Sequence, residues 1–208
     1  MSKEYGYIGK EVTQAFRDNK GIFTPQDIIE LDQENKWTNF GQLELIQTTV
    51  ASGSTTVDFT DIKSDIYKIH FFTFNNIDVT ADSDRLKLRY FESGVVESGS
   101  VYHFATQQCD TGGFSESRST SSDNVPTIKN SGNQTNEHAN GYTYIYNAGD
   151  STKFTFNTYH STTLTATPTY NSWFGSGVLP QASFVDGFRL FSSDNISGNI
   201  SLYGIRSF

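Results

Sequence analysis

The sequence predicts an all-β protein: an antiparallel, jelly-roll-like β-sandwich preceded by a short N-terminal arm that carries one helix. Three observations predict it. The chain holds 17 Phe, 11 Tyr and 2 Trp against a single Met and a single Cys, and rings with β-branched residues suit a pleated surface better than a helix. From Gly41 onward hydrophobic residues alternate in short runs, with turn residues about every 8–12 positions, the spacing of sandwiches and barrels. Residues 1–40 carry twelve charged residues, while the remaining 168 carry twenty-six. That contrast divides the chain into an arm, 1–40, and a sandwich, 41–208.

In the arm, Phe23-Thr-Pro-Gln-Asp-Ile28 is a helix start. Thr24 suits the N-cap, Pro25 the first helical position and Asp27 the first turn. Phe23 and Ile28 take the two positions of a hydrophobic staple. A helix is expected from Pro25 to about Asn35, with Ile28, Ile29 and Leu31 as its apolar side. So short a helix is marginal alone, and it docks either on its own sandwich or on a neighbouring subunit.

Beyond residue 40 the expected strands are Gln42–Thr49 and Thr55–Phe59, separated by a Ser52-Gly-Ser54 turn. Next come Asp65–Phe74, with Tyr67, Ile69 and Phe71 in phase before a bulge, and Arg85–Phe91, with Leu86, Leu88 and Tyr90 inward. Strands follow near Tyr102–Ala105, Tyr142–Tyr146, Lys153–Tyr159 and Thr162–Tyr170. A hairpin tip is expected at Asn171–Gly177, and Phe184–Phe208 reads as two strands folded back on each other. Between Gln107 and Asn140 only Cys109, Phe114, Val125, Ile128 and Ala139 are hydrophobic. The segment therefore reads as a long loop, either a floppy insertion or one ordered against a ligand or subunit and anchored by Phe114 and Val125–Ile128.

Composition narrows the function. A net charge of −8 argues against a nucleic-acid partner, which needs clustered Lys and Arg. One cysteine excludes an internal disulfide framework and a multi-cysteine metal site. The N-terminus has no apolar leader region and no run approaches the length of a membrane span, so membrane insertion is not expected. The four histidines share no motif, and no cofactor or metal is expected. Asp82 and Asp84 lack calcium-loop spacing. Cys109 with His103 lacks a third catalytic group, and His70 reads as a solvent-face or satisfied core residue. Glu44, Glu92 and Glu97 are the carboxylates from which a glycosidase pair would be drawn, although chance supplies such pairs in any chain of this length. Trp173 and Phe174, placed at a hairpin tip, are candidates to stack on sugars or enter a partner's pocket. The catalytic set is empty.

Two stretches carry a resemblance. Tyr7-Ile-Gly9, Gly21-Ile-Phe-Thr-Pro-Gln-Asp27 and Asn35-Lys-Trp37 lie in the arm. Val185-Asp-Gly-Phe-Arg-Leu-Phe191 and Ser197-Gly-Asn-Ile-Ser-Leu-Tyr-Gly-Ile205 close the chain, with Tyr90-Phe-Glu-Ser-Gly94 and Tyr102 between them. Together these resemble virion structural proteins of tailed bacteriophages, in which a short arm leads into a β-sandwich. The resemblance implies a non-enzymatic virion component assembled in the host cytoplasm, present as a homo-oligomer such as a trimer, and bound to other virion proteins. Within it Phe23, Ile28, Leu31 and Trp37 are the expected virion anchors. A tail or fibre position contributing to host attachment through a surface glycan or receptor is the first expectation. Capsid decoration that clamps capsomers is the second. A free carbohydrate-binding or glycoside-cleaving sandwich is the alternative from another class.

Overall fold

A computed structural model describes residues 25–33, 43–165 and 169–206. The chain divides into two compact units, residues 1–42 and 43–208. In the first, α1 spans Pro25–Gln33. Ile28 and Leu31, three apart on one face, are half-buried, whereas Ile29 points away and is exposed. Gln26 donates to Glu30 across one turn at 2.9 Å. Phe23, Thr24 and Trp37 lie outside the described residues. No helix among the described residues is long and apolar enough to cross a membrane.

The second unit is antiparallel β throughout. Its strands are β1 Leu43–Phe59, β2 Ile69–Val79, β3 Asp84–Glu92, β4 Val95–Val96, β5 Tyr102–Asp110, β6 Gly113–Ser122, β7 Val125–Ser131, β8 Ala139–Tyr146, β9 Thr155–Leu164, β10 Tyr170–Leu179 and β11 Val185–Ile205. Hydrogen bonding joins them into one curled sheet ordered β4-β3-β11-β2-β8-β9-β10-β5-β6, with β1 also along β11 and β7 along β3. This differs from the two separate sheets of a jelly roll.

The difference originates in β11. Its first half pairs with β3 and its second half with β2, so one strand serves both layers. The expected terminal hairpin is thus a single 21-residue strand. The turn-rich Ser-Ser-Asp-Asn and Ser-Gly-Asn stretches change register within it: the β1 pairing slips between Ser54 and Thr56, opposite β11 residues 191–196. Gly198 adopts φ +131° there, and a Cβ on it would meet the Asn76 carbonyl at 2.4 Å. Ser52-Gly-Ser54 likewise bulges a continuous β1, with Gly53 at φ +65°, where a turn was expected.

The core forms where the layers meet. Phe59, Leu86, Leu88, Tyr90, Phe188 and Leu190 close against Phe72, Phe74, Ile145, Ile200, Leu202 and Trp173, all essentially inaccessible. Each such side chain contributes about 1.5–3 kcal/mol by burial. Strand β2 lacks the bulge expected after Phe71: over residues 69–74 the register is unbroken, with His70, Phe72 and Phe74 facing inward and Ile69 and Phe71 outward. Both faces of this strand carry rings, so alternation alone cannot choose between them.

The 107–140 loop is corrected. It consists of the end of β5, a hairpin into β6, then β7, before a short connection to β8. The segment escaped notice because β6, GFSESRSTSS, is solvated on both faces and shows no hydrophobic period. Strand β7 is the opposite case: Val125 and Ile128 are buried. It packs over β9 and β10, where Ser161 donates to the Thr127 carbonyl at 2.9 Å and Lys129 lies over the Trp173 ring at 4.5 Å.

Candidate binding face

The outward surfaces of the curled sheet differ sharply in chemistry from one part to another. On β3 and the first half of β11 the outward residues are charged and paired. Arg189 clasps Asp58 through two bonds of 2.7 and 2.6 Å, and Arg89 holds Asp123. Lys87 and Arg89 lie over the Phe191 ring at 5.5 and 4.4 Å. Asp84 is occupied by Ser192, by the Arg85 amide and by the Asp194 amide. Burial pushes its pKa up, but those three bonds outweigh it and the carboxyl sits below its ordinary value. Among the described residues, no three metal-ligating side chains converge.

The outward face of β2, β8, β9, β10 and the second half of β11 is aromatic instead. Strands β8, β9 and β10 contain no Lys, Arg, Asp or Glu at all. The register aligns Tyr203, Phe71 and Tyr144 in one row, and Tyr142, His160 and Phe174 in the next. Ring centroids step across the face at 6.1 Å (Tyr203–Phe71), 4.6 Å (Phe71–Tyr144), 6.0 Å (Tyr142–His160) and 6.3 Å (His160–Phe174). Tyr142, Phe156, Tyr170 and Phe174 are exposed. Exposed apolar faces rimmed by polar residues are characteristic of contact surfaces, which makes this face the candidate site.

At its β6 side the face deepens into a cup of about 620 Å³. Phe114, Tyr142, Tyr170 and Phe174 form its walls, and Cys109, His160 and Ser172 lie on its floor. His160 Nε2 is 2.8 Å from Ser172 Oγ. A second groove of about 640 Å³ lies alongside, lined by His103, Phe104, Arg118, Phe156 and Val178 among others. Rings at the wall with hydroxyl and imidazole groups on the floor are the combination that grips a ring-shaped, polyhydroxylated ligand: flat apolar faces stack and a few polar groups orient.

The sequence-based candidates fall differently. Phe114 and Phe174 reach this cup, and Phe114 is 76% exposed. Trp173 does not, because Asn171–Gly177 lies within β10 rather than at a hairpin tip. Alternation turns Phe174 outward and buries Trp173 to 1% exposure. Its indole shares the core with Thr106 and Tyr159, whose phenol is pushed up by burial.

Cys109 and His103 stand six residues apart on β5, too far to cooperate, and Cys109 shares the cup with His160 instead. Of the carboxylates, Glu44 is held by Arg206 at 2.8 Å and accepts from Tyr67 at 2.6 Å. Glu92 and Glu97 are brought together, and burial followed by the hydrogen bond to Glu97 raises Glu92. Tyr142, Tyr144, His160 and Tyr170 were missed. Their signal was the charge-free run from Phe154 to Val185, together with the Tyr142-Thr-Tyr-Ile-Tyr146 alternation.

The unit is thus an all-β antiparallel module with one paired, charged face and one open, aromatic face. No family model matches the chain, and searches of curated proteins and of solved structures return no significant match.

Proposed function

We propose that this protein is a non-enzymatic component of a bacteriophage virion, displayed in the tail or fibre region, that contributes to host attachment through its aromatic face. The setting is taken from the resemblance of the arm and of the closing strand to phage structural proteins. The mode of attachment is supported by one observation, the uncharged, ring-lined cup bounded by Phe114, Tyr142, Tyr170 and Phe174. A host-surface glycan suits the cup because pyranose rings stack on aromatic faces while their hydroxyls meet His160 and Ser172. The protein's partners in this reading are other virion proteins, through the arm, and further copies of the chain.

Two experiments test it. Antibody labelling or density on intact particles should place the chain at the tail, whereas signal spread over the head would transfer the role to capsid decoration. Phe174→Ala combined with Tyr142→Ala should leave particle yield unchanged and lower the adsorption rate on host cells by about tenfold, the loss of roughly one stacked ring's contribution. Unchanged adsorption by the double variant would remove the aromatic face from the mechanism.

A further inference from the structure

Strand β6 ends the hydrogen-bonded order of the sheet, and among the described residues it pairs only with β5. It is ten residues long, has no proline and is exposed along most of its length. From Gly113 to Ser119 its register against β5 is regular, the shift lying beyond Ser119, and a solvated edge of this kind offers a row of free amides and carbonyls to another strand. Which groups point outward follows from the hairpin. Asp110 and Gly113 close a two-residue turn and exchange hydrogen bonds, so the bonded pairs continue through Gln108–Ser115 and Thr106–Ser117. The amides of Glu116 and Arg118 therefore face the free edge.

From this edge we infer a second copy of the chain as the partner, joined through β6 to β6' in an antiparallel register centred on Ser117. The strand is self-complementary about that residue. In this register Glu116 of each copy lies opposite Arg118 of the other, so a two-fold contact makes two cross-strand ion pairs. Glu116 and Arg118 are also the residues whose outward amides and carbonyls would form the new ladder. Within one chain their side chains lie 3.1 Å apart, both highly exposed, and are free to turn to the partner. A one-residue slip places both charges opposite serines, and a two-residue slip sets Glu116 opposite Glu116 or Arg118 opposite Arg118, where like charges directly opposite are unfavourable. The contact is two-fold and does not build a trimer. It would continue the outward face from one copy into the next and set the two cups side by side.

The test uses the full-length protein with Cys109→Ser to remove the native thiol. Residue 117 of each copy faces its own counterpart as a non-hydrogen-bonded pair, with Cα atoms about 4.5 Å apart, within disulfide range. Ser117→Cys should form a covalent dimer under mild oxidation, and Ser115→Cys, displaced from the axis, should not. By light scattering the protein should have twice the mass of the 23.2 kDa chain. Glu116→Arg should weaken the dimer roughly tenfold or more, because two facing pairs become repulsive. Adding Arg118→Glu restores opposite charges and should restore the dimer. Arg118→Pro, which deletes an outward amide but no β5 bond, should give a monomer whose circular dichroism matches that of the native protein. A monomeric or trimeric protein, equal crosslinking at 115 and 117, or a double charge swap that fails to rescue would each overturn the inference.

Discussion

His70 makes the stability of this protein depend on mildly acidic pH, with a sign and size that follow from where the ring sits. It is fully buried on β2, packed edge-on against Phe188 at 5.3 Å and Tyr67 at 6.3 Å. Its Nε2–H donates to the Ile62 carbonyl at 2.7 Å. Burial disfavours the imidazolium and outweighs the Ile62 bond, lowering the pKa to about 4. In the unfolded chain it titrates near 6.5. Between those values the unfolded state binds the proton and the folded state does not, so stability is complete above pH 6.5 and falls as pH drops toward 4. The difference of about 2.5 pKa units corresponds to about 3 kcal/mol, of which about 2 kcal/mol is lost by pH 5.

Urea denaturation at pH 7, 6, 5 and 4.5 would measure it. Glu92, whose pKa is raised, works in the opposite direction, so the quantity to read is the difference from a His70→Gln variant. Glutamine retains a donor for Ile62 and does not titrate. The variant should be less stable at pH 7 yet flatter across the window. A His70→Gln curve parallel to that of the native protein would show that the ring is already accessible to protons, and the reasoning would fail.

Other consequences follow from the packing. Trp173→Ala should cost about 3–5 kcal/mol by urea denaturation, as for large aromatic truncations in a core, whereas the adjacent Phe174→Ala should stay within about 0.5 kcal/mol. Equal effects at the two positions would contradict the assignment of inward and outward faces. Gly204→Ala places a methyl 2.2–2.4 Å from the Tyr67 ring, and overpacking of this kind should cost about 1–3 kcal/mol. A neutral effect in thermal melts would mean that Tyr67 does not rest on that glycine. Asp58→Ala releases one side of the Arg189 pair, and because that pair is partly exposed the loss should not exceed about 1 kcal/mol.

The sequence announced the β class because its cues were local. Leu86, Leu88 and Tyr90 alternate with Lys87 and Arg89, and charge set against apolarity leaves one choice of face. Where both faces share one chemistry, the cue is lost. Phe71 and Phe72 are both rings, and only the surrounding strands determine that Phe72 reaches the core. Ser115, Ser117 and Ser119 are all polar, so β6 resembled a loop although its bonds to β5 define a strand. Bulges were mistaken for turns at Gly53 and along β11 for a related reason. A glycine among serines permits either, and long-range pairing with a partner more than a hundred residues away chooses.

The same ambiguity conceals the aromatic face in the sequence, and it is also the physical argument for the role proposed for that face. A stretch built only to fill a core needs rings on one side of each strand and gains solubility from charge on the other, as β3 does. Strands β9 and β10 carry rings on both sides, β8 turns its three tyrosines outward, and all three omit charge from both sides. Tyr159 and Trp173 are accounted for by the core, but Tyr142, Tyr170 and Phe174 leave 40–49% of their surface exposed. Their stabilising contribution to the fold is correspondingly partial, and an exposed ring face favours association. Rings in this arrangement gain their full burial energy only when something covers them. The folded unit therefore leaves apolar surface unburied on one face, the surface on which the proposed attachment rests, while the paired charges of Arg189, Asp58, Arg89 and Asp123 keep the other face in water.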